Sequence, residues 1–313
     1  MVQDLSRVEH AQERPPVISV VVPTFRRPER LRVTLEALAS QTYPANALEV
    51  IVSDDGSGDA TEEHVRGFSA AAPFRVKWVT GPNGGPSVAR NRGIRACTGT
   101  WIAMTDDDCV PDPDWLSSHL EFLAKHPGVV GVGGAVVRYS NSVISRYVDW
   151  TRVMFPPIDR FGEAEYLVTA NAVFDLQRVL AVGAFDESYK WPGGEDPDLS
   201  RRVRAAGGTL RYNRQAVVRH MHRETIKGTY RMFWHHGLGL GAVLTPDERR
   251  SHTSWGTWYK KRLAPGVKRA FKELPLHAAF VFAGLEFVRH WAFRRGVLAH
   301  ARIANEGSTH TNL

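Results

Sequence analysis

Residues 17–55 read VISVVVPTFRRPERLRVTLEALASQTYPANALEVIVSDD, and this stretch decides the fold class. It contains two β-branched apolar runs, residues 17–22 and 48–53, which suit strands buried on both faces of a parallel sheet. Between them, residues 28–40 space apolar side chains as in a helix, with charges between them. The stretch therefore predicts a strand, a helix and a second strand.

The same alternation continues outward to residue 104. Helices are predicted at 61–68 and 87–96, and strands at 74–79 and 100–104. Repeated strand and helix pairs predict an α/β domain with a mainly parallel central sheet flanked by helices. In such sheets, ligands bind beyond the carboxyl ends of the strands.

The second half of the chain is less regular. A strand with several glycines is predicted at 129–138, and residues 139–164 have no clear periodicity and are interpreted as a mobile flap. The further predicted elements are helices at 176–181 and 199–206 and short strands at 210–212 and 216–218. From residue 225 onward the pattern is helical.

Charge is distributed unevenly along the 313 residues. Lys and Arg number 40 against 33 Asp and Glu, a net charge of +7 that invites a nucleic-acid or membrane partner. Ten of these basic residues and only two of the acids lie within residues 255–303, which leaves 30 basic and 31 acidic residues elsewhere. Nucleic acid is therefore not expected as a partner, because phosphate contacts need Lys and Arg where the ligand lies.

The basic tail supports a separate hypothesis about membranes. Basic segments flank the apolar residues 274–288, and such amphipathic segments bind anionic bilayer surfaces, here through residues 259–302. The alternative is a helical subdomain with a solvated basic face. No apolar run reaches the roughly 20 residues that span a bilayer, so no transmembrane helix is predicted.

The cysteines and the N-terminal sequence bear on the compartment. Cys97 and Cys109 are too few for a disulfide framework and predict free thiols in a reducing environment. Residues 1–16 contain no apolar core of the kind that signal peptides have. The sequence predicts a cytoplasmic protein, peripheral on the inner face of the membrane if the tail docks there.

Three adjacent carboxylates, Asp106, Asp107 and Asp108, follow the strand predicted at 100–104. Adjacent carboxylates repel one another unless a cation is present, and Mg²⁺ and Mn²⁺ take oxygen ligands while leaving positions for phosphate. The alternative is a solvated acidic turn. Their position at a strand end favours a metal site.

Two further acidic segments have two interpretations each. Asp55, in a DDGS turn, could accept a hydrogen bond from a nucleobase ring N–H or could merely shape the turn. Glu195 and Asp196 follow two glycines at a helix start, so a carboxylate there could be a general base or a helix cap.

Histidines complete the set of candidates. His220 and His222 follow a short predicted strand, and one imidazole could join a carboxylate metal site, although packed or surface histidines are common. A structural role is expected for the pair at 235–236. The glycine-rich segment 237–241 follows no strand and lacks the spacing of a dinucleotide-binding motif.

Together these segments resemble family 2 glycosyltransferases of the GT-A fold over residues 17–225. The resemblance rests on five segments in order: ISVVVPTFRR at 18–27, VIVSDDGSGDAT at 50–61, GPNGGPSVARNRGI at 81–94, MTDDDCVPDPDWL at 104–116 and GGEDPDLSRRVRAAGG at 193–208. It implies a GT-A catalytic domain at 1–225, with a nucleotide-binding half at about 15–115 and an acceptor-binding half at about 116–225. A basic helical extension at 226–313 follows.

The resemblance also implies roles for individual residues. Nucleotide-sugar binding falls on Pro23, Thr24, Arg26, Arg27, Asp55, Arg90, Asp106 and Asp107. Asp55 faces the pyrimidine, and Asp106 or Asp107 lies toward the ribose. The metal falls on Asp108, with Asp106 and His220 as further ligands and His222 as the substitute for His220. Asp196 matches the general base of inverting members, and Glu195 positions donor or acceptor hydroxyls.

The expected function is metal-dependent, inverting transfer of a sugar from a nucleotide-diphosphate sugar to an acceptor hydroxyl by single displacement. A UDP-sugar is favoured as donor, Mn²⁺ or Mg²⁺ is the expected cofactor, and the acceptor is a small molecule or a lipid-linked glycan. Two alternatives remain at this point. One is a nucleotidyltransferase with the same carboxylate and metal site, and the other is a non-catalytic basic protein that binds membranes or nucleic acid.

Overall fold

The computed structural model describes residues 18–309, without the side chains of Val243 and residues 302–309. The N-terminal segment that bears on secretion, and the first residue of the first predicted strand, lie outside the described residues. The strands are β1 (Ile18–Thr24), β2 (Leu48–Asp54), β3 (Arg75–Thr80), β4 (Trp101–Met104), β5 (Cys109–Pro111), β6 (Val129–Arg138), β7 (Ala172–Asp175) and β8 (Thr209–His220).

Helices cover the sheet and form the C-terminal part of the chain. They are α1 (Pro28–Ala39), α2 (Thr61–Ser69), α3 (Pro86–Arg95), α4 (Trp115–Lys125), α5 (Val143–Thr151), α6 (Leu176–Ala181), α7 (Glu195–Ala205), α8 (Ile226–Val243), α9 (Pro246–Thr253), α10 (Trp255–Thr257), α11 (Ala264–Glu273) and α12 (Leu276–Thr309). A π-helical turn, Trp258–Leu263, joins α10 to α11. None of the described helices is both long and apolar enough to cross a membrane.

The eight strands form one sheet in the order β3-β2-β1-β4-β7-β6-β8-β5. The strands β1 to β4 are mutually parallel, β6 and β8 share their direction, and only β5 and β7 run the other way. The prediction of a mainly parallel α/β sheet is confirmed. Each crossover between the first four strands is long enough to carry a helix, as parallel pairing requires.

Buried strands at the centre of the sheet explain the continuous apolar runs. Side chains alternate between the two faces of β1, so Val20 and Val22 pack with Leu31 and Leu35 of α1, whereas Val21 packs on the other face with Ile94 of α3. A run with apolar side chains on both sides therefore suits a sheet covered by helices on both faces.

Parallel register brings the functional segments to one edge of the sheet. Thr24 at the end of β1 pairs with Asp54 at the end of β2, and Met104 at the end of β4 pairs with Val21. The backbone N–H of Asp55 donates to the carbonyl oxygen of Thr24 at 2.9 Å. The acidic segments that follow β2 and β4 therefore flank the turn that follows β1.

Three predicted boundaries are wrong. Residues 139–164 contain α5, so this segment is only partly irregular. Helix α7 starts at Glu195 rather than at residue 199. A proline is tolerated in the first helical turn, and acidic side chains in that turn interact favourably with the positive end of the helix dipole. The two short strands at 210–212 and 216–218 are one strand, β8, whose extra residues are absorbed where its register against β6 shifts.

The glycines at 237–241 have a packing role. Helix α8 crosses α12 so closely that a Cβ atom at Gly237 would collide with the carbonyl oxygen of Phe293, and one at Gly296 would collide with that of Trp234. A Cβ at Gly239 would collide with the carbonyl oxygen of Pro192, just before α7. Helix α8 therefore packs against both α12 and the loop that leads to Glu195.

Candidate active site

A cavity of about 860 Å³ opens at the carboxyl ends of β1, β2 and β4. Its walls come from the segments that follow these strands, from residues 190–192 and from residues 220–236. Asp55, Arg90, Asp106, Asp107 and Asp108 all line it. The sheet edge thus gathers, in one space, acidic groups that are far apart in the sequence.

Asp107 is tied to the turn after β1. Thr24 Oγ1 donates to Asp107 Oδ2 at 2.8 Å, and Arg27 Nη1 donates to Oδ1 at 2.9 Å. Burial nevertheless raises the pKa of Asp107 to about 6. The adjacent charge of Asp108 contributes to this rise, whereas the charge of Arg27 opposes it.

Asp108 has two arginines and a histidine as close neighbours. Arg27 Nη1 and Arg30 Nη1 donate to its Oδ2 at 3.0 and 3.2 Å, and His220 Nε2 lies 3.3 Å from its Oδ1. Burial opposes the ionisation of Asp108, but His220 and the arginines outweigh it and lower the pKa. Arginines therefore compensate much of the repulsion within the triple carboxylate, a compensation that the sequence pattern did not predict.

Four potential ligand atoms lie within 4.8 Å of one another in this part of the cavity. They belong to Asp106, Asp108, Cys109 and His220. His220 Nδ1 is buried without a hydrogen-bond partner in the described chain, and burial raises the pKa of the Cys109 thiol well above its usual value. Two carboxylates and an imidazole fit a hard divalent ion such as Mn²⁺, whereas a protonated thiol is a poor ligand.

His222 is placed differently from His220. Their rings lie 4.6 Å apart, and His222 also lines the cavity, but it is not one of the four grouped ligands. Burial, with a smaller contribution from His220, lowers the pKa of His222 to about 3, so the imidazole stays neutral. The arrangement favours His220 over His222 as the histidine beside the carboxylates.

Arg90 links the metal-side carboxylates to the start of α7. Its Nη2 donates to Asp106 Oδ1 at 3.1 Å, and its Nη1 donates to Glu195 Oε1 at 3.0 Å. Burial disfavours its charge, but the acids around it raise the pKa of the guanidinium. Glu195 also accepts from the backbone N–H groups of Gly193 and Gly194 at 2.8 and 3.0 Å. Burial raises the pKa of Glu195, but Arg90 and these N–H groups lower it more.

Asp196 accepts hydrogen bonds from neutral donors only, among the described residues, and neither it nor Glu195 is one of the residues that line the cavity. The backbone N–H of Thr169 donates to its Oδ2 at 3.0 Å, and the hydroxyl of Thr169 donates to its Oδ1 at 3.0 Å. Burial and the charge of Glu195 raise the pKa of Asp196 to about 7. A carboxyl group with such a pKa can exchange protons near neutral pH.

Asp55 anchors the loop that opens α3. Its Oδ2 accepts from Asn83 Nδ2 and the backbone N–H of Gly85, both at 2.9 Å, and its Oδ1 accepts from the backbone N–H of Gly84 at 2.9 Å. Oδ1 therefore retains an acceptor site. Asp55 thus shapes the loop and still faces the cavity.

Arg26 lies beside the cavity rather than in its wall. It has a positive φ of 53°, its backbone N–H donates to Ser57 Oγ at 2.8 Å, and its Nε donates to the carbonyl oxygen of Ser57 at 3.2 Å. The neighbouring Pro23, Thr24, Phe25 and Arg27 are the ones that line the cavity.

The far wall of the cavity carries functional candidates that the sequence analysis missed. Lys190, Arg223, Lys227 and Arg231 line it and form no ion pair among the described residues, although the charges of Asp108 and Asp107 act on Arg223. The histidine pair at 235–236, expected to be structural, lines it too, and His235 stacks on Trp191 at 5.0 Å. Residues 227, 231 and 235 are spaced four apart on α8, a periodicity that could have indicated one common face.

Sequence comparisons place this chain among known proteins. The model of glycosyl transferase family 2 matches residues 19–174, and that of glycosyl transferase family group 2 matches residues 101–301, more than half of the chain. Glycosyltransferase AglE of Haloferax volcanii is 30% identical over 223 residues, which cover 69% of this chain and 72% of AglE. The chain belongs to glycosyltransferase family 2.

Other relatives are similar over part of their length. Succinoglycan biosynthesis protein ExoM of Rhizobium meliloti is 32% identical, with 64% of this chain and 65% of ExoM covered. Validoxylamine A glucosyltransferase of Streptomyces hygroscopicus is also 32% identical, with 64% of this chain and 54% of that protein covered. The chain thus spans little more than half of some of its relatives.

Solved structures confirm the GT-A fold. The mannosyltransferase PcManGT of Pyrobaculum calidifontis, solved with GDP-Man and Mn²⁺, superposes with a TM-score of 0.64 at 21% identity over 93% of this chain and 87% of its own. TarS residues 1–349 of S. aureus, solved with UDP, give 0.55 at 16% identity over 91% of both chains. This family 2 glycosyltransferase is an enzyme, and its family decides against the nucleotidyltransferase and non-catalytic interpretations.

Proposed function

We propose that this glycosyltransferase transfers a sugar from a nucleotide-diphosphate sugar to an acceptor hydroxyl with inversion at the anomeric carbon. The single observation that carries the proposal is that the grouped ligands Asp106, Asp108 and His220 line the cavity, while Asp196 lies at the start of α7, close enough to Asp106 for its charge to act on the pKa of Asp196. Arg90 connects the two sets through Asp106 and Glu195. One group of residues suits a diphosphate with its cation, and the other suits proton removal.

The nucleotide lies against the turn after β1 in this proposal. Pro23, Thr24 and Arg27 form that wall, and Asp55 Oδ1 accepts a hydrogen bond from the ring N–H of a pyrimidine with its remaining acceptor site. Arg26 shapes the turn through Ser57. TarS has been solved with UDP and UDP-GlcNAc, which supports the preference for a UDP-sugar, whereas PcManGT was solved with GDP-Man.

A divalent ion, Mn²⁺ or Mg²⁺, is assigned to Asp108, Asp106 and His220. When bound, it would neutralise the charge that develops on the diphosphate as the glycosidic bond breaks. Arg27 and Arg30 keep Asp108 ionised, so the carboxylate is ready to serve as a ligand. Asp107, held by Thr24 and Arg27, is directed toward the ribose side of the nucleotide.

The cationic far wall supports phosphate binding from the other side. Lys190, Arg223, Lys227 and Arg231 form no ion pair among the described residues, and all four line the cavity. Cations without partners attract the negative charge of a diphosphate into a cleft. The acids around the metal site and these cations thereby enclose the donor between them.

Asp196 is assigned as the general base. Its carboxylate accepts the proton of the attacking acceptor hydroxyl while the diphosphate leaves from the opposite face of the sugar, so one displacement inverts the anomeric carbon. Thr169 fixes the orientation of the carboxylate. Glu195, which stays ionised beside Arg90, positions hydroxyl groups instead of taking the proton.

The acceptor is a small molecule or a lipid-linked glycan. Among the relatives, validoxylamine A glucosyltransferase is named for a small-molecule acceptor and ExoM for polysaccharide biosynthesis. Both classes offer a hydroxyl nucleophile to the same base.

The test is a panel of nucleotide sugars incubated with the full chain and Mn²⁺, in which released nucleoside diphosphate is quantified. We expect turnover of a UDP-sugar, inhibition by UDP, and loss of both in Asp108→Asn. Asp112→Asn is the matched control, because this carboxylate pairs with Arg219 outside the cavity. The absence of nucleoside diphosphate release with every donor, together with the absence of nucleotide binding, would overturn the proposal.

A further inference from the structure

The C-terminal helices expose an unusual amount of apolar surface. Six side chains between 43% and 67% exposed define what we call the aromatic face: Trp255, Phe271, Leu276, Phe280, Val281 and Phe287. Large contiguous apolar surfaces on soluble domains mark interaction sites. This face is separate from the cavity, since none of its residues lines it.

Helical periodicity and ring contacts make the aromatic face continuous. Leu276, Phe280 and Phe287 follow one side of α12 over about 17 Å of helix. Phe271 of α11 meets Phe280 edge-on at 5.1 Å between ring centroids. Phe287 stacks on Trp291 at 6.1 Å, and Trp291 in turn contacts Trp255 at 5.9 Å. The face therefore extends across α10, α11 and α12.

Exposed lysines border the aromatic face. Lys268 and Lys272 flank Phe271 on α11, and Lys260 and Lys261 lie on the preceding π-helical turn. None of these four forms an ion pair among the described residues. The two acids of this region do not offset them, because Glu286 is fully buried and Glu273 is paired with Arg269 at 2.9 Å. The surface is thus both apolar and positively charged.

We propose that the aromatic face and its lysines dock this enzyme on an anionic lipid bilayer. Exposed aromatic and aliphatic side chains enter the boundary between headgroups and acyl chains, while the lysine ammonium groups meet the acidic headgroups. Charge complementarity favours a bilayer over a second copy of this chain. In a two-fold dimer through this face, the same unpaired lysines from both copies would be brought together.

The test is flotation of the full chain with vesicles of phosphatidylcholine alone and of phosphatidylcholine mixed with phosphatidylglycerol. We expect the protein to float with the mixed vesicles only, and less so as salt is raised. Leu276→Ser combined with Phe280→Ser, and separately Lys268→Glu combined with Lys272→Glu, should each lower the bound fraction about tenfold.

Matched controls come from exposed residues outside the face. Leu180→Ser on α6 and Lys125→Glu on α4 are the same types of substitution at exposed positions outside the aromatic face, and they should leave flotation unchanged. Melting temperatures verify that every variant is folded. Failure of the wild type to float with the mixed vesicles, or flotation that the face variants do not reduce, would overturn the proposal. So would a dimer in sedimentation velocity that Leu276→Ser with Phe280→Ser dissociates, because a second copy would then cover the face.

Discussion

Two acidic groups of the candidate site, Asp108 and Asp196, are compensated in opposite ways. Asp108 is surrounded by Arg27, Arg30 and His220, which lower its pKa despite its burial. Asp196 is half-buried and, among the described residues, receives hydrogen bonds only from the neutral Thr169, and burial and the charge of Glu195 raise its pKa to about 7. Local partners, rather than residue type, therefore separate a carboxylate suited to holding a cation from one suited to moving a proton.

Removing the proton acceptor tests one side of this contrast and should have the largest effect. Asp196→Asn keeps the size of the side chain but cannot take the acceptor proton, so kcat should fall about 10²–10⁴-fold. Steady-state transfer kinetics measure this loss, and calorimetry should show nearly unchanged UDP binding. Asp198→Asn is the control on the same helix, because Asp198 pairs with Arg201 and Arg202. Wild-type turnover in Asp196→Asn would exclude Asp196 as the base.

Removing the metal tests the other side. Chelation with EDTA should lower sugar transfer about 10²–10³-fold, since loss of a cation at the leaving diphosphate removes several kcal/mol of transition-state stabilisation. Added Mn²⁺ or Mg²⁺ should restore the rate. The arginines beside the carboxylates also offset their negative charge. A transfer rate that EDTA does not change would therefore show that the arginines, and not a metal, compensate the carboxylates.

Substitutions of the two neighbouring histidines should differ in their effect on the apparent affinity for Mn²⁺. His220→Ala should weaken the apparent affinity for Mn²⁺ at least about 10-fold, because even outer-shell partners of metal ligands contribute that much. His222→Ala should change it by less, since His222 is outside the group of four ligand atoms. Activity measured against Mn²⁺ concentration gives both values. The reverse ranking would assign the metal to His222.

Lowering the pH should reduce activity because it protonates Asp196, and this effect should be smaller than that of substituting the residue. Because its pKa is raised to about 7, the carboxyl is protonated below that pH and cannot act as a base. The value of kcat/KM should therefore fall about tenfold for each pH unit below the pKa. The Asp198→Asn control should retain this acid limb. A profile that stays flat down to the usual pKa of aspartate would contradict the raised pKa.

Much of the fold could be predicted from the sequence, because buried parallel strands and amphipathic helices leave distinct local patterns. The placement of Asp55 and the triple carboxylate at one sheet edge followed from the parallel topology alone. The compensation of the carboxylates could not be predicted in the same way. Arg30 and Arg90 reach them from separate helices, so the pairs depend on tertiary packing.

The contribution of α8 to the cavity was missed for a related reason. A helix with basic residues and histidines at four-residue spacing looks like a solvated face until its neighbours are known. Close packing through Gly237 and Gly239 brings that face to the cavity. The division of the chain at residues 225 and 226 stays a prediction, although α8, which follows it, contributes residues to the wall of the cavity.

The central claim is that Asp106, Asp108 and His220 hold the divalent ion to which the donor diphosphate binds. Titration of Mn²⁺ into the full chain in the presence of UDP, followed by the electron paramagnetic resonance signal of free Mn²⁺, tests it directly. The account predicts a single tight site per chain that Asp108→Asn abolishes and Asp112→Asn retains. The absence of tight Mn²⁺ binding in the wild type, or binding that survives in Asp108→Asn, would contradict it.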